Sequence, residues 1–432
     1  MMAPAESAVG ARAEEVVFRL LAQIIVILVV SRIVAALGRK ALGQTDVAGE
    51  ILAGLALGPS LLGAVAPEAM AALFHPSTSS IFVGLAQVGL VLLMFQIGLE
   101  FEIGEAVSSA RRTIVAVSAG GILLPFTLGY VTAPFFWSRL AEPRPSELGF
   151  RLFFATAMSI TAIPILGRIF MELGLSHTRT AALTIGAAAI DDIIGWLLLG
   201  IVSTIVTSRF AAGPFALRVL ALGVYLAAVI LLVRKPLQRA VAARMDKAGG
   251  LDSTAISIVL VALFVSALVT SKLGVFAIIG GFVIGVALHR DRRFVAEWRA
   301  RVGLLVNAFF LPLFFAYTGL RTDVGTLGSA EARLECLFVC AIAFLGKFGG
   351  AYLSARLTGE DHRSASAIGV CMNTRALMEL VALNVGYDLG VLPRRIFTML
   401  VIMAIASTYM ATPLIRLLMS RERREQPAPA LD

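Results

Sequence analysis

The sequence predicts an all-α polytopic membrane protein of about 13 transmembrane helices, and three observations carry that expectation: an apolar composition, apolar runs of about 20 residues, and an echo between the two halves of the chain. Of 432 residues, 58% are hydrophobic and 15% charged. Mean hydropathy is +0.88. Soluble domains average about 45–50% apolar and about 25% charged residues, so a soluble enzyme is excluded. Thirteen spans of about 20 residues consume roughly 260 positions, which leaves short connections and makes residues 1–432 a single membrane domain.

The apolar runs lie near 16–37, 47–62, 81–99, 113–136, 152–170, 180–207, 215–233, 254–271, 275–289, 303–320, 334–355, 364–386 and 396–419. In the first, Glu14 and Glu15 precede the apolar stretch and Arg32 interrupts it, so a retained helix is expected rather than a cleaved leader. The second opens on Glu50 and, with the ninth, is short enough to tilt or re-enter. Gln87 and Gln96 in the third, Asn307 in the tenth and Asn384 in the twelfth are expected to make interhelical hydrogen bonds. The seventh run ends on Arg234 and Lys235, and Arg290, Arg292, Arg293, Arg299 and Arg301 separate the ninth from the tenth.

Net charge is +9, from 37 Lys and Arg against 28 Asp and Glu. Because these bases sit between apolar runs, they report membrane orientation rather than nucleic-acid binding. Roughly twenty lie on one side and about ten on the other, which places the amino terminus outside and the carboxyl terminus, with Arg421, Arg423 and Arg424, in the cytoplasm. The compact, Ala- and Arg-rich chain suggests a bacterial inner membrane. Cys336, Cys340 and Cys371 form no metal-like cluster and read as structural thiols. His75, His177, His289 and His362 all fall near loops and read as solvated.

The echo runs in order. Ala53-Gly54-Leu55-Ala56-Leu57 in the second run recurs as Ile284-Gly285-Val286-Ala287-Leu288 in the ninth; Gly98-Leu99-Glu100 closing the third recurs as Gly319-Leu320-Arg321 closing the tenth; and Met158 to Ala162 in the fifth parallels Met372 to Ala376 in the twelfth. Partners are always seven runs apart, an odd number, so the halves cross the membrane in opposite directions. That is the inverted-repeat plan of secondary transporters. The first repeat is expected over 16–207, a linking helix over 215–233, the second repeat over 254–419, and a short tail over 420–432.

Candidate chemistry centres on Asp191-Asp192 in the sixth run, two acids inside Ala-Ala-Ala-Ile-Asp-Asp-Ile-Ile-Gly-Trp. A charge at mid-bilayer costs at least ~2.5–3.5 kcal/mol, so such acids need a partner or a wet cavity. Neighbours on a helix point about 100° apart and therefore serve different surroundings. Lys347, set among Gly346, Gly349 and Gly350, supplies a basic partner. In the fifth run Pro164 removes a backbone donor and predicts a break, whose carbonyls, with the Ser159 and Thr161 hydroxyls, suit a small hard cation. The corresponding stretch of the twelfth run carries Asn373, Thr374, Arg375 and Glu379, with Arg375 and Glu379 expected four apart on one helical face, where their charges would offset half-helix ends.

Together, Gly54 to Ser60, Ser159 to Ala162, the acid pair, Lys347 and Asn373 to Glu379 resemble the monovalent cation/proton antiporter superfamily, in the branch of bacterial sodium/proton antiporters, potassium-efflux antiporters and plant cation/proton exchangers. The resemblance spans residues 16 to 419. It implies a core domain with two crossing broken helices, a dimerisation domain, a homodimer and an elevator-like movement. Asp192 would bind the cation or the competing proton, Asp191 would pair with Lys347, and Ser159 and Thr161 would line the cation site. The acid pair favours sodium, whereas Asn373-Thr374-Arg375 and Gly319-Leu320-Arg321-Thr322 look more like potassium-type members. The expected activity is Na+/H+ exchange, with K+/H+ exchange as the alternative and a cation channel as the rival from another class. No resident cofactor is implied. An intramembrane aspartyl protease is disfavoured because adjacent acids do not converge on one water.

Overall fold

The computed structural model describes residues 3–42, 44, 46–99, 107–161, 178–207, 212–273, 277–375 and 377–419, with isolated positions between 166 and 175. Every regular element among them is helical; apart from short turns and the two short helices Leu62–Val65 and Pro67–Leu73, they are α1 (Ala3–Leu42), α2 (Asp46–Leu57), α3 (Pro76–Leu99), α4 (Val107–Trp137), α5 (Glu147–Ser159), α6 (Arg179–Thr207), α7 (Ala212–Ala228), α8 (Arg234–Ala248), α9 (Ser253–Lys272), α10 (Ala277–Leu288), α11 (Arg292–Trp298), α12 (Leu311–Arg321), α13 (Ala330–Leu357), α14 (His362–Met372), α15 (Leu377–Asp388) and α16 (Arg394–Leu418). A π-helical turn at Val229–Val233 joins α7 to α8.

Nine described helices are long and apolar enough to cross a membrane. The remaining four apolar runs differ from uninterrupted spans. The tenth belongs to a helix pair bent by 43° between Arg292–Gly303 and Val306–Arg321, and the ninth is the 12-residue α10. The fifth leaves helix after Ser159, and the twelfth is divided into α14 and α15. Hydropathy registers the apolar content of these four runs but not the interruptions.

The chain forms two compact units. The first comprises Met1–Glu100, Ala228–Val269 and Gly280–Gly325. Within it, backbones approach closely at glycines. A Cβ at Gly54 would lie 2.2 Å from the Phe315 carbonyl oxygen, and one at Gly319 would lie 1.9 Å from that of Gly54, so α2 and α12 touch backbone to backbone. The same holds for α3 and α10, where a Cβ at Gly98 would lie 2.4 Å from the Phe282 oxygen and one at Gly285 2.2 Å from the Phe95 oxygen. These crossings join the second run to the tenth and the ninth to the third, and they account physically for the glycines of the repeated motifs. Ser60 completes the first crossing by donating to the Thr322 carbonyl at 2.8 Å and accepting from the Val324 amide at 3.1 Å. Ile27, Leu57, Phe82, Ala86, Leu313, Ala316 and Tyr317 form an apolar cluster around it.

Several sequence expectations need correction in this unit. Glu50, which its place at the start of the second run predicts at a membrane interface or funnel mouth, is buried on α2 with Arg32 at 3.5 Å. Gln87 and Asn307 are exposed rather than held between helices. A polar side chain in an apolar run is ambiguous in sequence because burial depends on which stripe of the helix meets a neighbour. Arg244 forms an ion pair with Asp252 that joins α8 to the start of α9.

The second unit comprises Phe101–Ala227, Thr270–Ile279 and Thr326–Asp432. Its central contact is between α4 and α13. A Cβ at Gly350 would lie 2.1 Å from the Gly120 oxygen, one at Gly120 would lie 2.0 Å from Ser354 Oγ, and one at Gly346 would lie 3.0 Å from Pro125 Cα. Ser329 and Asp361 cap α13 and α14 by accepting backbone N–H bonds from Ala332 and from Arg363 and Ser364. These caps satisfy donors that helix starts leave open. Asn384, expected between helices, donates to the Leu380 carbonyl one turn back at 2.8 Å. His75 and His362 have short-range partners in Ser77 and Tyr352, and His289 contacts the Val286 carbonyl, while His177 lies outside the described residues.

Candidate functional site

The site lies wholly within the second unit and begins with two helix ends. The α5 helix stops at Ser159, and Ile160 is extended, with φ −74° and ψ 140°. Pro164 and Ile163 lie outside the described residues, but the helix has already ended before them. The α14 helix stops at Met372, and α15 restarts at Leu377. Each stop frees carbonyl oxygens that water cannot satisfy at membrane depth, so side chains must.

Cations meet the end of α5. Arg375 donates to the carbonyls of Ala157 at 3.1 Å and Met158 at 2.7 Å, while Lys347 donates to the Ser159 carbonyl at 2.5 Å. Positive charge against the negative carboxyl end of a helix is electrostatically favourable. Arg375 also donates to the Ala343 carbonyl on α13 at 3.3 Å, and the Thr408 hydroxyl of α16 donates to the Arg375 carbonyl at 2.5 Å. Arg375 is thus a bracket across three elements. The expectation that Arg375 and Glu379 share one helical face is corrected here: Arg375 stands in the interruption, and Glu379 belongs to the first turn of α15. The two still approach to 3.5 Å, fully buried.

Asp191 anchors the other half. Its Oδ2 is 2.8 Å from Lys347 Nζ and 2.8 Å from the Thr161 hydroxyl, and its Oδ1 accepts from Ser118 Oγ at 2.6 Å. The Thr161 hydroxyl also lies 3.2 Å from the Met372 carbonyl, linking the two interruptions. Lys347 reaches Asp191 because its glycine-lined stretch of α13 lies against α4, where Nζ makes a further bond to the Gly121 carbonyl at 2.8 Å. With Asp191 Oδ2 and the Ser159 carbonyl, this gives each of the three ammonium protons an acceptor.

Asp192 is as deeply buried, with about 1% of its surface exposed. Ser159 turns its hydroxyl to the Thr156 carbonyl at 2.9 Å, leaving its oxygen lone pairs as acceptors. Thr374 donates to the Cys371 carbonyl at 2.7 Å. Asn373 is fully buried, and neither amide atom has a hydrogen-bond partner among the described residues. The structure therefore brings Asp191, Lys347, Ser159 and Thr161 into one network with Arg375, and places Glu379 beside Arg375. Sequence reasoning missed Ser118, Gly121 and Thr408. Ser118 carried a signal, since it is a polar residue within the apolar fourth run beside Gly120 and Gly121.

The electrostatic balance is informative. Three buried carboxylates, Asp191, Asp192 and Glu379, accompany two buried cations, Lys347 and Arg375. Formally, one bound monovalent cation or one proton completes neutrality of this set. Hydroxyl and carbonyl oxygens around it are the ligand type that alkali cations accept. No group of three or more His, Cys, Asp or Glu able to hold a metal occurs among the described residues.

Known proteins are similar to this chain over most of its length. The family described as sodium/hydrogen exchanger, transmembrane, matches residues 25–421. The chain is 36% identical over 397 residues to the Na(+)/H(+) antiporter NhaS4 of Synechocystis sp., covering 92% of this chain and 96% of that protein. It is 33% identical over 397 residues to cation/H(+) antiporter 17 of Arabidopsis thaliana and 30% identical over 384 residues to K(+)/H(+) antiporter 1 of Saccharomyces cerevisiae, covering 92% and 87% of this chain. It spans about half the length of those two relatives, 48% and 43%. In fold it is similar to the sodium proton antiporter MjNhaP1 of Methanocaldococcus jannaschii, with TM-score 0.65, 14% identity and coverage of 93% and 97% of the two chains. The chain belongs to the transmembrane sodium/hydrogen exchanger family of cation/proton antiporters.

Proposed function

We propose that this protein exchanges Na+ for H+ across a cell membrane, with Asp192 as the group that holds either the cation or the proton. The observation that carries this reading is the commitment of Asp191. Its oxygens receive Lys347, Ser118 and Thr161, so Asp191 and Lys347 form a fixed pair, and the exchanging role is assigned to Asp192, the neighbouring acid buried on the same helix. A carboxylate cannot hold a proton and a partly dehydrated cation together, and a loaded, neutralised cluster crosses a low-dielectric barrier more readily than an empty one. Coupling follows from that competition.

In this reading Ser159 and Thr161 supply oxygens to the cation, while Arg375, Glu379, Asn373 and Thr374 offset helix-end charge at the interruptions. The two glycine crossings, second run with tenth and ninth with third, support an inverted repeat, and elevator-type alternating access fits that plan. A homodimer in a bacterial inner membrane, amino terminus outside and carboxyl terminus cytoplasmic, completes the proposal. K+/H+ exchange is the second reading, supported by the potassium antiporter of yeast and by the Na(+)/H(+)-K(+) antiporter GerN of Bacillus cereus, 28% identical over 399 residues.

Purified protein in liposomes tests both readings. With a proton gradient imposed, addition of Na+, K+ or Li+ in turn is expected to move protons in a cation-dependent way, and the order of response gives selectivity. Cation flux without proton movement would instead make the acids channel ligands.

A further inference from the structure

Away from the acid cluster, the first unit contains a cleft of about 700 Å³ where the π-helical turn at Val229–Val233 passes into α8. Its composition changes abruptly along the chain. Ile230 and Leu231, 56% and 72% exposed, form an apolar wall; Arg234, Lys235 and Arg239 follow on α8, and Arg290 faces them from the turn after α10. None of these four bases has an ion-pair partner among the described residues, although Arg244, Arg293 and Arg301 nearby in the same unit are each paired with an acid. The lining includes one acid, Asp291, and its carboxylate accepts the Phe294 amide as the cap of α11. Gln238 is held by the Ala287 carbonyl at 2.7 Å, which ties α8 to α10 and fixes the two sides of the cleft together.

Unpaired bases gathered in one concavity are mutually repulsive, and the arrangement gains stability when an anion enters. The apolar wall distinguishes the occupant. Ile230, Leu231 and Leu232 project from the end of a membrane-length apolar stretch, so acyl chains and cleft are contiguous there. A soluble anion would use the bases and leave the wall unused, whereas a phospholipid uses both. We propose that this cleft holds the phosphodiester headgroup of an anionic membrane phospholipid, with its acyl chains along Ile230 and Leu231. The site is independent of the exchange chemistry.

The test uses the full chain purified in an uncharged detergent and titrated with short-chain phosphatidylglycerol, short-chain phosphatidylcholine or inorganic phosphate, reading the thermal unfolding midpoint. Phosphatidylglycerol is expected to raise the midpoint saturably, and the other two are not. Arg234→Gln, Arg239→Gln and Arg290→Gln should each raise the half-saturating lipid concentration about fivefold, as loss of one cation near an anionic surface implies. Leu231→Gln should weaken the lipid response, while a double Arg111→Gln, Arg112→Gln variant, exposed bases in the other unit, should leave it unchanged. Native mass spectrometry of the unaltered chain, which depends on no variant folding, should retain phosphatidylglycerol in preference to phosphatidylcholine. An equal response to phosphate would identify a free-anion site and overturn the lipid proposal. Equal loss in the Arg111 and Arg112 variant, or no preferential retention, would do the same by reducing the effect to diffuse charge.

Discussion

In the proposed exchange site, Lys347 and Asp191 carry a structural role beside the functional one. A fully buried pair at 2.8 Å balances the desolvation of two charges against their attraction and the surrounding hydrogen bonds. Removing one partner strands the other, so Lys347→Met is expected to lower stability by about 3–5 kcal/mol, measured as the shift of the thermal midpoint in detergent. Combining it with Asp191→Asn should restore part of that loss, because no buried charge is then left alone. Asp192→Asn behaves differently: stability is expected to hold within about 1 kcal/mol, since a neutral amide is easier to bury than a charge, while cation-dependent proton movement in liposomes falls to background. Exchange at the normal rate in that variant would remove Asp192 from the mechanism. The acid pair was legible in the sequence because two charges in an apolar run are costly wherever they lie. The geometry of Lys347 was less legible, for its partners Gly121 and Ser159 are backbone carbonyls that any residue type could present.

Helix crossings carry the next level of specification. The α4 and α13 backbones meet at Gly120 and Gly350, where an added Cβ would fall 2.0 to 2.1 Å from existing atoms. Gly350→Ala must therefore push the helices apart and draw Lys347 away from the Gly121 carbonyl, so both the thermal midpoint and the exchange rate should fall. Gly223→Ala on α7 is the comparison, since nothing lies within 4 Å of its added methyl. Replacement there should be neutral or stabilise by up to about 1 kcal/mol, the helix-propensity difference between the residues. The positions of helices were readable from apolar runs, but their interruptions were readable only in part. Pro164 pointed to the fifth run, although the helix ends earlier, at Ser159. The stop at Met372 has no proline to announce it. It is held by tertiary bonds, with Arg375 reaching α5 and α13 and Thr408 meeting the Arg375 carbonyl, and such long-range support leaves no local periodic trace.

For the molecule as a whole, two effects of pH separate. Asp361, which caps α14, has its carboxyl held below the ordinary value of 3.8 chiefly by the Ser364 hydrogen bond, and Asp252 is lowered chiefly by its bond to Arg244. A depressed carboxyl contributes its stabilisation above its unfolded pKa and loses it as pH falls through the folded one, so both contacts remain fully present near neutrality and weaken only in acid. Asp361→Ala should accordingly cost about 1 kcal/mol near neutral pH, the worth of an N-cap, and progressively less below the ordinary carboxyl range, as thermal midpoints across pH would reveal. Transport obeys a different relation. If a proton and a cation compete for one carboxylate, the half-saturating cation concentration rises as pH falls, approaching about tenfold per pH unit below the pKa of the empty site, while the rate at saturating cation changes less. Measuring half-saturation against pH for Na+, K+ and Li+ in liposomes resolves both questions that the sequence leaves joined. Parallel lines for the three ions mean one shared protonation site with selectivity set by oxygen ligands, whereas a cation whose half-saturation ignores pH does not compete at that carboxylate and removes single-site exchange for that ion.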